Sequence, residues 1–160
     1  MILPSHVIAG ELVTLGCLNI APSRDPAIYL PTVNWLQEFA EWFKINALPT
    51  YVPGKMDCED ICIKAISLAT DALVANNAVA DAVGHGLGFA HVTLGLFLSD
   101  DSRSPGLNGI LPRAGSSHMT IICRCSDDNF YFYEPQTALI HEARNAIDSG
   151  RVATFLWCWM

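Results

Sequence analysis

Residues 58–75 read CEDICIKAISLATDALVA, and this stretch is the strongest structural signal in the chain. Its apolar residues recur every three or four positions, which is the spacing of one buried helix face. They are Ile61, Cys62, Ala65, Leu68, Ala69, Ala72 and Leu73. Pro53 and Gly54 interrupt the chain just before the stretch, and Asp57 is a typical N-cap residue. The pattern predicts a helix from Cys58 to about Ala75, with a cysteine in its first turn.

The remaining elements are predicted from periodicity and turn residues. Residues 34–45 (NWLQEFAEWFKI) have the alternating faces of an amphipathic helix, whereas residues 91–98, 118–125, 130–134 and 152–159 have strand character. SDDN at 126–129 predicts a hairpin turn, and residues 138–147 predict a short helix. The first thirty residues, interrupted by prolines and glycines, predict short strands or loops. Residues 76–90 give no clear pattern.

Helices followed by an antiparallel sheet indicate the α+β class. The chain has 160 residues, of which 51% are hydrophobic and 16% are charged, so we expect one domain over residues 1–160 with a core of its own. The formal net charge is −7, and the lysines and arginines are scattered. Nucleic-acid and anionic-membrane ligands are therefore not expected, because both require a basic face.

Segments for targeting or membrane insertion are not visible. The first residues, MILPSHVIAGEL, have no basic segment ahead of their apolar stretch, as a secretory signal would. The longest weakly polar run, residues 86–98, is shorter than a bilayer span. Six cysteines in helix and strand patterns favour free thiols over a disulfide framework. We expect a soluble, cytoplasmic protein, and secretion after removal of a signal stays open.

Three residues stand in an order that indicates cysteine chemistry: Cys58, His118 and Glu134. A helix N-terminus lowers the pKa of a thiol and so favours the reactive thiolate. An imidazole can complete the activation, and a carboxylate on its far nitrogen fixes the tautomer. His118 starts one strand of the predicted hairpin and Glu134 ends the other, so both lie at the end away from the turn. The sequence therefore predicts that the three residues share one cleft.

Two segments resemble a known group of enzymes. KMDCEDICIKA at 55–65 resembles the Asp-Cys-Glu-Asp or Asp-Cys-Asp-Asp nucleophile segment of bacterial transglutaminase-like cysteine proteinases. SSHMTIICR at 116–124 and NFYFYEPQT at 129–137 are similar to the His strand and Asp-Pro-Gln-Thr strand of papain-fold toxins and transglutaminase-like domains. The resemblance implies a papain-like or transglutaminase-like fold, with the nucleophile helix packed on a small antiparallel sheet. It implies Cys58 as nucleophile, His118 as base and Glu134 as third member, without a cofactor.

The chain also departs from that pattern. Glu134 stands where Asp or Asn is usual, and YVPGKMD before Cys58 contains no glutamine for an oxyanion hole. The backbone N–H of Cys58 would then bind the oxyanion, with Gln136 and Asp57 as candidate oxyanion or substrate-binding residues. The predicted activity is acyl transfer at an amide bond of a protein or peptide, as a peptidase, amidase or glutamine deamidase, through a thioester.

Other interpretations stay open at this stage. A simpler interpretation makes Cys58 only a small buried residue. Asp57, Glu59 and Asp60 are ordinary first-turn carboxylates or, less simply, a calcium site. A zinc site could be built from four of the cysteines, namely Cys58, Cys62, Cys123 and Cys125. His85 and His91 compete with His118 as the base. In a different class of function, an inactive domain of the same fold would serve as an acidic binding or inhibitor module.

Overall fold

The described part of the chain covers six ranges in this computed structural model: residues 1–21, 25–75, 86–87, 89–95, 117–148 and 154–159. For residues 74–75, 86–87, 89–95, 117–118 and 154–159, only the backbone is described. Within these ranges, no helix combines the length and the apolar character needed to cross a membrane.

Four helices and nine strands make up this part of the chain. The helices are α1 (Ser5–Leu15), α2 (Val33–Asn46), α3 (Cys58–Ala75) and α4 (Ala143–Asp148). The strands are β1 (Ile2–Pro4), β2 (Ile20–Ala21), β3 (Ala27–Tyr29), β4 (Gly86–Leu87), β5 (Phe89–Gly95), β6 (Ser117–Arg124), β7 (Phe130–Glu134), β8 (Leu139–Glu142) and β9 (Thr154–Trp159). The architecture is mixed helix and sheet.

The larger sheet has six strands in the order β2-β9-β5-β6-β7-β8. All its neighbours pair antiparallel except β2 and β9, which are parallel. A smaller sheet has the order β1-β3-β4. The register of the β6–β7 hairpin pairs Ile121 with Tyr133 and Arg124 with Phe130.

Each face of the larger sheet is covered by helices. Helices α2 and α3 pack on one face through a buried cluster of Leu36, Phe39, Ala40, Phe43, Ile61, Cys62, Ala65, Ala69, Ile121, Cys123, Cys125 and Tyr133. Helices α1 and α4 pack on the other through Ile8, Leu12, Leu15, Cys17, Ile28, Leu30, Ile122, Phe132, Ala143 and Ala146. Adjacent residues such as Ile121 and Ile122 join opposite clusters because side chains of a strand alternate between faces.

Several predicted elements are confirmed. Helix α3 starts at Cys58 as its periodicity predicts, and α2 extends the predicted helix over 34–45 by one residue at each end. Strands β6, β7 and β9 and the turn between β6 and β7 also agree. The strand predicted over 91–98 is observed as β5 up to Gly95, and the residues after it fall outside the described residues.

Two predictions were wrong. The first thirty residues contain helix α1, whose N-cap is Pro4 (φ −59°) and whose C-cap is Gly16 (φ 111°). Proline suits a helix start and glycine a left-handed C-cap, so the residues interpreted as breaks are the boundaries of a helix. The predicted helix over 138–147 is a strand, β8, followed by the shorter α4. Ala138 has a φ of 61°, which turns the chain back so that Leu139 pairs with Glu134.

Candidate functional site

Cys58 is the first residue of α3 and is half-buried. The carbonyl of Asp57 accepts the N–H of Ile61 at 3.1 Å, and its Oδ1 accepts the N–H of Glu59 at 3.2 Å. In return, Oδ2 of Asp60 accepts the N–H of Asp57 at 3.3 Å. The arrangement is a variant of the capping box, in which Asp60 replaces the usual glutamate and Asp57 accepts the N–H of the second helical residue instead of the third. The N-cap interpretation of Asp57 is confirmed, and two of the acids near Cys58 are engaged at the helix end.

Cys62 lies one turn after Cys58 and is 1% exposed. Its thiol donates to the backbone carbonyl of Met119 on β6, with a sulfur–oxygen distance of 3.6 Å. Burial raises the pKa of this thiol well above 9.0, and the charges of Glu134, Cys58 and Glu59 raise it further, in that order. The contact with Met119 joins the first two turns of α3 to β6 at Cys62.

Glu134 is the last residue of β7 and is 1% exposed. Its Oε1 accepts the backbone N–H of Gln136 at 3.1 Å, so the carboxylate is held against the turn that leads into β8. Nζ of Lys44 on α2 donates to the carbonyl of Thr137 at 3.1 Å and ties the same turn to the helical layer. Gln136 itself is half-buried, and its backbone N–H is the part that contacts Glu134.

His118 is the second residue of β6, and its Cα pairs with Leu94 of β5. It directly precedes Met119, the residue whose carbonyl contacts Cys62. The backbone thus places positions 118 and 134 at the end of the hairpin away from the turn, as predicted. The imidazole of His118 lies outside the described side chains, so its contact with Cys58 and Glu134 stays a prediction.

Of the two competing histidines, His85 lies outside the described residues, and only the backbone of His91 is described. The backbone of His91 pairs with Ile121 on one side and Trp159 on the other, within the central strand β5. Its imidazole also lies outside the described side chains.

The other thiols are buried in the core. Cys123 and Cys125 lie on the α2–α3 side of the sheet, as their spacing predicts, with their sulfurs 3.8 Å apart. Burial, followed by the hydrogen bond and charge of Cys125, raises the pKa of the Cys123 thiol well above 9.0. None of the described cysteine side chains (17, 58, 62, 123 and 125) is in a disulfide. In the part of the chain that the structure describes, no three His, Cys, Asp or Glu residues are grouped to hold a metal ion.

Sequence reasoning missed two features of the site. Cys62 was interpreted as an apolar helix position, although its spacing from Cys58 signals that both lie on one side of α3. Tyr133 is fully buried, and among the described residues its hydroxyl has no hydrogen-bond partner. Burial raises the pKa of Tyr133 above the ordinary value, and the charges of Cys62 and Glu134 raise it further. Strand alternation could have identified this tyrosine as a core residue.

Comparison with known proteins gives a fold and no family. No family model matches the chain, and neither does any curated protein. Ten chains of solved structures are similar to it, and two of them serve as examples. One is described as "PSL1a-E64 complex" (TM-score 0.61, 10% identity, 99% of this chain and 51% of that chain). The other is the Polyporus squamosus lectin bound to the human-type influenza-binding epitope Neu5Aca2-6Galb1-4GlcNAc (TM-score 0.61, 12% identity, 99% and 49%).

This chain therefore spans about half the length of each solved structure that it matches. At 10% and 12% identity, the likeness shows a shared fold over that half.

Proposed function

We propose that this chain is a cysteine-dependent acyl-transfer enzyme that acts on an amide bond, in a papain-like or transglutaminase-like domain. Cys58 is the nucleophile, His118 is the general base and acid, and Glu134 orients the imidazole. One observation carries the proposal: the thiol of Cys62, one turn after Cys58 on α3, donates to the carbonyl of Met119, the residue after His118 on β6. Burial and the charge of Glu134 raise the pKa of that thiol, in agreement with a carboxylate near it.

The proposed reaction has two steps. The Cys58 thiolate attacks the amide carbonyl carbon, and the backbone N–H of Cys58 at the start of α3 stabilises the oxyanion that forms. Imidazolium His118 donates its proton to the departing nitrogen, which leaves as an amine or ammonia while a thioester remains on Cys58. Water or a second amine, deprotonated by His118, then attacks the thioester and releases the thiol. Asp57 directly precedes Cys58, and the backbone N–H of Gln136 contacts Glu134, so both residues are candidates to contact the substrate.

One of the similar structures supports this choice. It is described as a complex with E64. A half-buried cysteine at a helix N-terminus is the kind of thiol that an electrophilic reagent selects, because the thiolate is the reactive form. E64 is therefore a suitable probe for Cys58, alongside iodoacetamide.

The decisive experiment is native-state labelling followed by mass analysis of the peptides. We expect E64 and iodoacetamide to modify Cys58 selectively at about pH 6, where an ordinary thiol is almost fully protonated. Cys58→Ala should abolish labelling and turnover of peptide substrates with little change in melting temperature. The matched control is Cys17→Ser, since Cys17 lies on the opposite face of the sheet and its thiol donates to the carbonyl of Asn19 at 3.3 Å. Turnover that survives in Cys58→Ala would eliminate the proposal.

A second candidate is a binding module of the same fold without catalysis. The chain has a net charge of −7, and Glu59 is exposed beside the half-buried Cys58. Negative charges near a thiol disfavour the thiolate, which suits binding better than catalysis. One solved structure with this fold binds a sialylated glycan, so calorimetry with that glycan is a direct test. Glycan binding together with ordinary, slow labelling of Cys58 would favour this candidate.

A further inference from the structure

The carbonyl of Met119 lies beyond the last pair of residues that joins β6 and β7. The N–H of Cys125 donates to the carbonyl of Asn129 at 3.0 Å, and the paired register reaches Ile121 opposite Tyr133. Hydrogen-bonded pairs alternate along an antiparallel ladder, so Met119 is the next residue whose carbonyl points towards β7. Strand β7 ends at Glu134, and the chain continues into a turn with Pro135. Proline has no N–H, so it offers no donor to that carbonyl.

The thiol of Cys62 supplies a donor at this position. Its sulfur is 3.6 Å from the Met119 oxygen, and the side chain is 1% exposed. The thiol stays protonated in the fold, because burial raises its pKa and the charges of Glu134, Cys58 and Glu59 raise it further. It therefore donates its hydrogen bond throughout the neutral pH range and adds no charge beside Cys58.

We propose that Cys62 is a positioning residue: its hydrogen bond to the Met119 carbonyl fixes the first turns of α3 against the strand that carries His118. This inference rests on the proposed function, because it assigns Cys62 the task of setting the distance between nucleophile and base. Cys58 lies one turn before Cys62, and His118 lies one residue before Met119. The Cys62–Met119 contact thus links α3 and β6 close to both Cys58 and His118. Small errors in such a distance are costly for a thiol–imidazole pair.

The test measures the rate of Cys58 alkylation by iodoacetamide as a function of pH. Trypsin releases both cysteines in one peptide, residues 56–64, and fragmentation assigns the label to Cys58. Cys62→Ala removes the donor, and we expect the rate at about pH 6 to fall about tenfold, as for a rise of one unit in the pKa of the nucleophile. Cys62→Ser keeps a donor and should stay within about threefold of the wild type. Cys62→Val removes the donor while filling the space, so it serves if the alanine variant does not fold.

The outcomes separate this inference from the proposed function. A wild-type Cys58 whose rate follows an ordinary thiol, with half-ionisation near about pH 8.5, would overturn both. An acid-shifted wild-type profile that is unchanged in Cys62→Ala or Cys62→Val would overturn the positioning role alone. A purely structural role would lower the melting temperature of Cys62→Ala without moving the pH profile, and that result also counts against the inference. Cys17→Ala is the matched control, since it removes a buried thiol from the opposite cluster.

Pro135→Ala provides an independent check of the mechanism. The alanine restores a backbone N–H at the position that directly follows β7, and we expect this N–H to offer the Met119 carbonyl a second donor. In this background, Cys62→Ala should slow the alkylation of Cys58 by about threefold rather than about tenfold, a coupling that a double-mutant cycle resolves. An equal effect in both backgrounds would show that the Met119 bond does not carry the positioning.

Discussion

Arg124 of β6 and Glu11 of α1 are joined by two contacts, Nε to Oε2 at 2.8 Å and Nη2 to Oε1 at 3.2 Å. Arg124 is 3% exposed and Glu11 is 35% exposed, so the pair lies at the edge of the core. Nη2 also donates to Asp128 at 3.1 Å, and the guanidinium lies 5.5 Å from the ring centre of Phe130. Burial acts to lower the pKa of Arg124, but the hydrogen bonds to Glu11 and Asp128 outweigh it and raise the pKa. The Arg124–Glu11 ion pair holds α1 against the face of the sheet opposite the one on which α3 packs.

Glu11→Gln should therefore destabilise the fold without touching the site. Among the described residues, the variant leaves the buried cation with the exposed Asp128 as its remaining acidic partner, and we expect a loss of about 1–3 kcal/mol in the free energy of unfolding. Asp128→Asn is the control, with an expected loss below about 1 kcal/mol because this partner is mostly exposed. Urea unfolding gives both values. Similar losses in the two variants would contradict the ranking, and slower labelling of Cys58 would contradict the separation of the two faces.

The two tyrosines of β7 should respond in opposite ways to loss of their hydroxyls. The hydroxyl of Tyr133 is buried and has no partner among the described residues, so Tyr133→Phe should be neutral or stabilising by up to about 1 kcal/mol. The hydroxyl of Tyr131 donates to Oδ2 of Asp127 at 2.6 Å, so Tyr131→Phe should cost about 0.5–1.5 kcal/mol. Thermal and urea unfolding of both variants measure the difference. A marked loss in Tyr133→Phe would reveal an unrecognised partner for its hydroxyl.

Local patterns predicted the elements that carry the site. Helix α3 followed from its apolar period and the N-cap Asp57, and the β6–β7 hairpin followed from SDDN between two apolar strands. Because an antiparallel hairpin has a fixed geometry, the sequence also placed His118 and Glu134 at one end of the sheet. These features depend on residues close together in the chain, which is why they could be predicted.

Features that depend on contacts between distant residues could not be predicted from the sequence. Helix α1 has a weak amphipathic pattern, and its place in the fold is set by packing on Ile122 and Phe132 of the hairpin and by the contact of Glu11 with Arg124. The hydrogen bond of Cys62 to Met119 joins positions 57 residues apart, and no local rule selects one carbonyl over another at that separation. Tertiary packing decides such contacts, and propensity does not.

Stability should decline in alkaline solution because of the buried thiols. Burial raises the pKa of both Cys62 and Cys123 well above 9.0, the ordinary value. In the unfolded chain these thiols ionise near that value, whereas in the fold they stay protonated. A raised folded pKa gives stability that is present below about pH 9 and is lost as the pH rises further. The urea midpoint should fall between about pH 8 and about pH 10, and Cys123→Ala should weaken the fall. A midpoint that is constant over this range would contradict the prediction.

The effects of Asp57 as a helix cap and as a negative charge can be measured separately. Asn is as good an N-cap residue as Asp, so Asp57→Asn should keep the hydrogen bond to the Glu59 N–H and the melting temperature. The variant also removes a negative charge next to Cys58, and we expect its alkylation at about pH 6 to become a few times faster. Asp57→Ala is the contrasting variant, with an expected loss of about 1 kcal/mol. If Asp57→Asn instead weakens substrate binding, measured as a higher KM with unchanged kcat, Asp57 contacts the substrate.

Glu134→Gln tests the third member of the proposed triad with little disturbance of the fold. The amide oxygen can still accept the N–H of Gln136, which the carboxylate accepts at 3.1 Å, so the turn into β8 should be retained. The negative charge that would stabilise imidazolium His118 is lost, and we expect kcat to fall about 10²- to 10⁴-fold, as in other triads that lose this charge. A second readout is independent of turnover: the charge of Glu134 raises the pKa of Cys62, so the variant should make that thiol easier to ionise.

Glu142→Gln is the matched control for this substitution. Glu142 lies on β8, where its Oε2 accepts Nδ2 of Asn145 at 2.8 Å, and its replacement should leave turnover at the wild-type value. Wild-type turnover in Glu134→Gln would remove Glu134 from the mechanism. If turnover falls equally in both variants, the loss reflects the reduced net negative charge of the chain and not a carboxylate that faces the imidazole.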